Sequence, residues 1–272
     1  PMLAFLLAFI LAAIACVLWF MREAIFNERL AVRQKLTDVY HSQLGFLQSR
    51  VGVEWSESLN RAERGLRGAQ LFATVVNEQW ADSALCFGEN GVIEYPQGPL
   101  PSDPEGEAIQ AKMRALMQAG RRENAVQFAL ESFADGQFAA TADDLGRLVA
   151  ANAELAALES LEDHSDPRFA MLAERLRARV EDLQTVVMPS TQRRFIMHEL
   201  ERRVPGTTFP TLPAENLAAA YLEAQSPALR AGILGATGIP DVWHVRSSQG
   251  RMVLLFRTAT LPAKLESTVA NS

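Results

Sequence analysis

Val242-Trp243-His244-Val245-Arg246-Ser247-Ser248-Gln249-Gly250-Arg251-Met252-Val253-Leu254-Leu255-Phe256-Arg257 decides the fold class: two apolar runs surround a four-residue link that ends in glycine. Runs rich in β-branched and aromatic residues around such a link predict a β-hairpin. The pattern occurs once more upstream. Ala84-Leu85-Cys86-Phe87, Gly88-Glu89-Asn90-Gly91 and Val92-Ile93-Glu94-Tyr95-Pro96 set an Asn-Gly turn between two short runs, with Gly91 able to take the left-handed backbone angle. An isolated hairpin is marginal in water. We therefore expect both to join one small antiparallel sheet, packed on the helix that ends near Trp80. The fold class is mainly α with a small antiparallel β-sheet (α+β), the hairpins at 81–100 and 239–260 flanking an inserted helical bundle at 101–238.

Between the hairpins, residues 105–119, 123–134, 141–161, 167–183, 191–204 and 214–224 carry apolar side chains at spacings of three and four, the helical period. Gly120, Asp135-Gly136, Ser165-Asp166-Pro167, Pro189-Ser190, Pro205-Gly206 and the stretch from Pro210 to Pro213 separate them. Ser165-Asp166-Pro167 reads as a helix start, Asp166 capping and Pro167 at the first helical position. Residues 119–125 are faintly like a tetratricopeptide turn, but no repeat period follows.

Upstream, residues 2–20 (MLAFLLAFILAAIACVLWF) form a 19-residue stretch without charge. A bilayer core about 30 Å thick needs about 20 apolar residues. We read a transmembrane helix over 1–21, in preference to a cleaved signal or a lipoprotein site at Cys16, because the sequence stays apolar through Met21. A long juxtamembrane or stalk helix is expected over 22–80: Phe26, Leu30, Leu36, Tyr40, Leu44, Leu47, Val51, Trp55, Leu59, Ala62, Leu66, Ala69 and Phe72 recur at a mean step of about 3.5, a coiled-coil seam. That seam is the basis for an expected homodimer. Gly45 and Gly52 weaken the helix interior, so a break near Val51-Gly52-Val53 is compatible with it. Residues 261–272 start a C-terminal helix, and a sequence that opens on Pro1 reads as a fragment.

Orientation is left open by the sequence. Arg22, Arg29, Arg33 and Lys35 would hold the following side in the cytoplasm by the positive-inside rule, while Glu23 and Glu28 are interspersed among them.

A net charge of −6 and the lack of a basic patch exclude a nucleic-acid surface. Cys16 and Cys86 are the two cysteines, so no disulfide within the body and no cysteine-based metal site is expected. None of His41, His164, His198 and His244 pairs with another at metal spacing. No nucleophile elbow, P-loop or dinucleotide fingerprint occurs. Residues 232–238 are glycine-rich, but they read as a loop entering the second hairpin. Asp143-Asp144 and Glu162-Asp163 read as capping or solvated acids at helix ends, and Arg193-Arg194 with His198 as a solvated helix face. No catalytic residue, metal ligand or cofactor is assigned. Tyr95, Trp243, His244 and Arg246 are the candidate ligand contacts, from their place in the hairpins; His244 and Trp243 alternate, so one faces the core and the other solvent or a pocket.

The order of elements, with Met188-Pro189-Ser190-Thr191-Gln192-Arg193-Arg194-Phe195-Ile196-Met197-His198-Glu199-Leu200 and Thr208-Phe209-Pro210-Thr211-Leu212 as its most specific stretches, resembles the extracytoplasmic sensor region of bacterial membrane-bound sensor histidine kinases. The resemblance extends over essentially the whole chain, without the phosphoacceptor helix or ATP-binding domain of that family. It implies a two-component signalling role, a periplasmic body at the bacterial inner membrane, a second span beyond Ser272, and a small-molecule or protein stimulus transmitted through the juxtamembrane helices. The alternative is a membrane-anchored helical scaffold that binds another protein through a groove and has no small-molecule pocket. An anchored enzyme is a third possibility without motif support.

Overall fold

The computed structural model describes residues 19, 21, 35, 60, 63–133, 138, 140–224, 234–247 and 249–264. The chain divides into two units, Pro1–Val53 and Glu54–Ser272. In the first, the expected span at 2–20 lies outside the described residues except for Trp19, as do residues 22–53 of the expected stalk and dimer seam except for Lys35. Among the described residues no helix is long and apolar enough to cross a membrane.

The second unit contains one five-stranded antiparallel sheet and seven helices with described bounds. Its strands are β1 (Ser83–Phe87), β2 (Ile93–Tyr95), β3 (Gly235–Ala236), β4 (Val242–Arg246) and β5 (Met252–Arg257), in the order β2-β1-β5-β4-β3. Both hairpins do join one sheet. β1 and β5, one from each, pair at its centre from Ser83 opposite Leu255 to Cys86 opposite Met252. The first hairpin closes as the Asn-Gly pattern requires, with Gly91 at φ 75° and its N–H donating to the Gly88 carbonyl.

The run of five buried residues in β5 follows from burial on two sides. On one face, Ala84, Cys86, Tyr95, Val245, Met252, Leu254 and Phe256 pack against Leu71, Phe72 and Val75 of α1 (Gly68–Asn77). On the other, Leu85, Val242, Val253 and Leu255 meet Leu217 and Tyr221 of α7 (Leu212–Glu223). A strand covered on both faces loses the apolar–polar alternation of a half-exposed one.

The insertion between β2 and β3 consists of α2 (Pro104–Gln118), α3 (Arg122–Ser132), α4 (Val149–Ser160), α5 (Pro167–Glu181), α6 (Ser190–Arg203) and α7. Its core surrounds α4, where Val149, Ala150, Ala151, Ala153, Leu155, Ala157 and Leu158 are all buried. A helix that is apolar around most of its circumference belongs at the centre of a bundle, and alanines let neighbouring helices approach. Asp166 caps α5 by accepting from the Arg168 N–H at 2.9 Å, with Pro167 in the first turn, as the sequence predicts.

Four sequence expectations need correction. The helix foreseen over 141–161 begins only at Val149; Asp143 accepts from the N–H groups of Leu145 and Arg147 and from Arg147 Nε, and this local bonding competes with helical pairing. The stalk helix over 22–80 is interrupted at its distal end: residues 63–65 are helical, Leu66 and Arg67 are not, and α1 restarts at Gly68, whose φ of 47° suits glycine. Residues 235–236 of the glycine-rich stretch are strand β3, pairing Gly235 with His244. The helix read over 214–224 starts two residues earlier, at Leu212, with Pro213 in its first turn.

Candidate functional site

The stretch from Met188 to Leu200 becomes α6 and the turn before it, and its first helical turn is sunk between the insertion and the sheet. Ser190, Gln192 and Arg193 are all buried. Gln192 spans to α4, donating to the Leu148 carbonyl and accepting the Leu148 N–H. Ser190 exchanges main-chain and side-chain bonds with Gln97: its N–H donates to the Gln97 carbonyl, and its hydroxyl accepts the Gln97 N–H, each at 2.9 Å. The segment after β2 is thereby fastened to α6.

Arg193, 1% exposed, sends Nη1 to the Val180 and Asp182 carbonyls at 2.6 and 3.4 Å and Nη2 to the Val186 carbonyl at 3.1 Å. These carbonyls belong to the end of α5 and the loop after it, where a helix has no amide donors of its own to offer. Its Nε points toward Glu215 on α7, but at 4.0 Å from Oε1 it forms no hydrogen bond. Glu215 is fully buried; Oε1 takes a short hydrogen bond from the Tyr95 hydroxyl, and Oε2 has no hydrogen-bond partner. Burial raises the Glu215 carboxyl above its ordinary range, against the opposing pull of Tyr95 and Arg193. Burial likewise pushes the Tyr95 phenol up. The result is a buried polar knot of Tyr95, Ser190, Arg193 and Glu215 in which Arg193 Nε and Glu215 Oε2 are unmatched among the described residues.

Beside it, on the α1 side of the sheet, lies a small open cleft with room for about 20 Å³. Glu63, Glu94, Arg67 and Arg251 contribute its polar lining, with Leu66, Leu71 and Phe87 among its walls. Knot and cleft share two structural neighbours. Leu71 lines the cleft while Phe72, the next residue, packs its ring 4.4 Å from Tyr95; Glu94 lines the cleft and Tyr95 follows it.

The four residues singled out from the sequence do not form one site. Tyr95 belongs to the knot. Trp243 lies on the α1 face and donates Nε1–H to the Thr258 hydroxyl at 3.0 Å. His244 points the other way, 4% exposed under α7, with Nδ1 2.8 Å from the Tyr221 hydroxyl; desolvation lowers its pKa. Of that alternating pair, His244 is the core residue. Arg246 reaches the Gly250 carbonyl of its own hairpin at 3.4 Å. Arg193, read from sequence as part of a solvated face, is instead interior, whereas His198 is exposed. Its signal in the sequence was its place one turn after the Pro189-Ser190 helix start, where a cation can reach a neighbouring helix end.

The cleft contains Cys86, whose buried thiol is pushed up by desolvation and is correspondingly unreactive. Among the described residues no group of three or more His, Cys, Asp or Glu side chains is placed to hold a metal ion. Comparison with protein-family models, characterised proteins and solved structures finds no match for this chain.

Proposed function

We propose that this chain is the extracytoplasmic signal-sensing region of a bacterial membrane-bound sensor histidine kinase, with a periplasmic body that passes a stimulus through juxtamembrane helices to a kinase core. One observation carries the reading: the segment leaving the sheet starts beside the end of the helix that enters it. Lys264 donates to the Gln79 carbonyl at 3.1 Å, just past α1, and lies 3.5 Å from Asp82. Asp82 in turn accepts the Arg257 N–H at 2.7 Å and the Thr260 hydroxyl. Leu261 packs against the cluster that holds Leu71, Phe72 and Val75.

A body with its entry and exit tied together can convert a local rearrangement into a relative movement of two helices, which is what a transmembrane receptor requires. Such a signal needs two states of different ligand affinity. The incompletely paired knot supplies a contact that a second arrangement could satisfy better. Homodimerisation through the helix upstream of the body belongs to the same proposal.

An alkaline-phosphatase fusion after Ser272, expressed in a bacterium, tests it. The enzyme is active only outside the cytoplasm, so an active fusion is expected; an inactive fusion of normal abundance places the body in the cytoplasm and overturns the reading.

A further inference from the structure

The cleft between the start of α1 and the first hairpin contains a buried carboxyl. Glu63 lines it, is 2% exposed, and among the described residues neither carboxyl oxygen has a hydrogen bond of ordinary geometry. The Ser247 hydroxyl and the Arg251 guanidinium lie close enough to oppose the effect of burial on this carboxyl without cancelling it. Buried polar groups in folded proteins are nearly always hydrogen-bonded, and a buried carboxylate is costly unless a cation faces it. The two guanidinium groups of the cleft are engaged elsewhere: Arg67 and Arg251 both contact Glu89, at 3.5 and 3.0 Å. Glu63, Glu89 and Glu94 therefore outnumber the cleft's cations by one.

We propose that this cleft binds the head group of a small organic ammonium ion, with the two Glu63 oxygens accepting its N–H donors and the alkyl stem lying along Leu66, Leu71 and Phe87. An ammonium offers three donors and no acceptor, which complements an acceptor-only carboxylate. A divalent metal needs several converging ligands, and among the described residues no three His, Cys, Asp or Glu side chains converge to hold one. The cleft has room for about 20 Å³, which admits a water-sized group such as an ammonium head and leaves the alkyl stem in the open mouth of the cleft. As the stimulus, this ligand rests on the sensor reading above; its binding does not. Seating it against Leu71 and Glu94 would press on Phe72 and Tyr95, and so on the knot.

The test is a titration of the full 272-residue chain in detergent with n-butylammonium, followed by calorimetry and by amide chemical shifts, with pentanoate and butan-1-ol as controls. Saturable binding of the ammonium alone is expected, with amide shifts centred on Leu66, Gly68, Phe87 and Gly88, and Glu63→Gln should weaken it at least about tenfold. No saturable binding, equal binding of pentanoate or butan-1-ol, or an unchanged affinity in Glu63→Gln overturns the inference. Should Glu63→Gln fail to fold, the shift map of the unaltered chain decides, because shifts away from the cleft also overturn it. A negative titration beside an active phosphatase fusion removes this ligand and keeps the sensor; a positive titration beside an inactive fusion keeps the ligand and removes the sensor.

Discussion

Among the described residues, Glu154 and Glu215 are fully buried carboxyls that each face an arginine, and the two pairs are built to different standards. Inside the helical insertion, Glu154 on α4 accepts two hydrogen bonds of 3.0 Å from Arg179 on α5, a closed fork against a carboxylate that is itself fully buried. At the junction with the sheet, Glu215 and Arg193 come no nearer than 4.0 Å, and Arg193 Nε and Glu215 Oε2 have no hydrogen-bond partner. A fork of two charge-assisted bonds fixes geometry as well as energy. The insertion therefore holds a closed ion pair, whereas the pair at the junction leaves a buried donor and a buried acceptor unmatched.

The contrast can be broken most forcefully at the arginines. Arg193→Met should be the costliest change, about 5 kcal/mol in urea unfolding, because it strands a buried carboxylate and also three carbonyls that Arg193 now serves. Arg179→Met leaves only Glu154 uncompensated, with Arg179 itself 14% exposed at its side chain, so about 3 kcal/mol is expected. Tyr95→Phe should cost about 1–3 kcal/mol by removing the hydroxyl that donates to Glu215. Were Arg179→Met to prove costlier than Arg193→Met, the junction would not be the more heavily used contact.

A smaller effect sharpens the comparison through pH. Burial raises the carboxyls of Glu63, Glu154 and Glu215, so the folded state holds more protons than the unfolded state above the ordinary value of 4.5. Their contribution is complete below that value and is lost as pH rises through each raised folded value, at up to about 1.4 kcal/mol per pH unit for each group. His244 acts in the opposite sense. Its lowered pKa means that stability falls as pH drops below 6.5. Glu215→Gln should flatten the acid-side slope, as read from unfolding midpoints between pH 5 and 8.

What the sequence could and could not disclose follows the same division. Periodicity located both hairpins and all six helices of the insertion, because burying an apolar stripe leaves its spacing in the chain. It missed the turn over 141–148 and strand β3, where side-chain hydrogen bonds of Asp143 and a two-residue pairing with β4 decide the conformation. Tyr95 and His244 were singled out from hairpin position, yet their partners Glu215 and Tyr221 are 120 and 23 residues away. Only the folded topology brings them together. Glu63 was invisible for the same reason: nothing in a helical seam distinguishes a solvated glutamate from one enclosed by a distant hairpin.

The measurement that bears most directly on the contrast is the stability of Glu154→Gln and Glu215→Gln at pH 8, by urea unfolding of otherwise identical chains. Replacing a carboxylate by an amide breaks the fork at Glu154 but leaves Glu215 able to accept from Tyr95 while removing an unmatched charge. A loss of about 2–3 kcal/mol is expected for Glu154→Gln, and a change within about 1 kcal/mol of either sign for Glu215→Gln. A loss at Glu215 equal to or greater than that at Glu154 would contradict the account, since the junction would then hold a closed salt bridge of the same kind as the one inside the insertion.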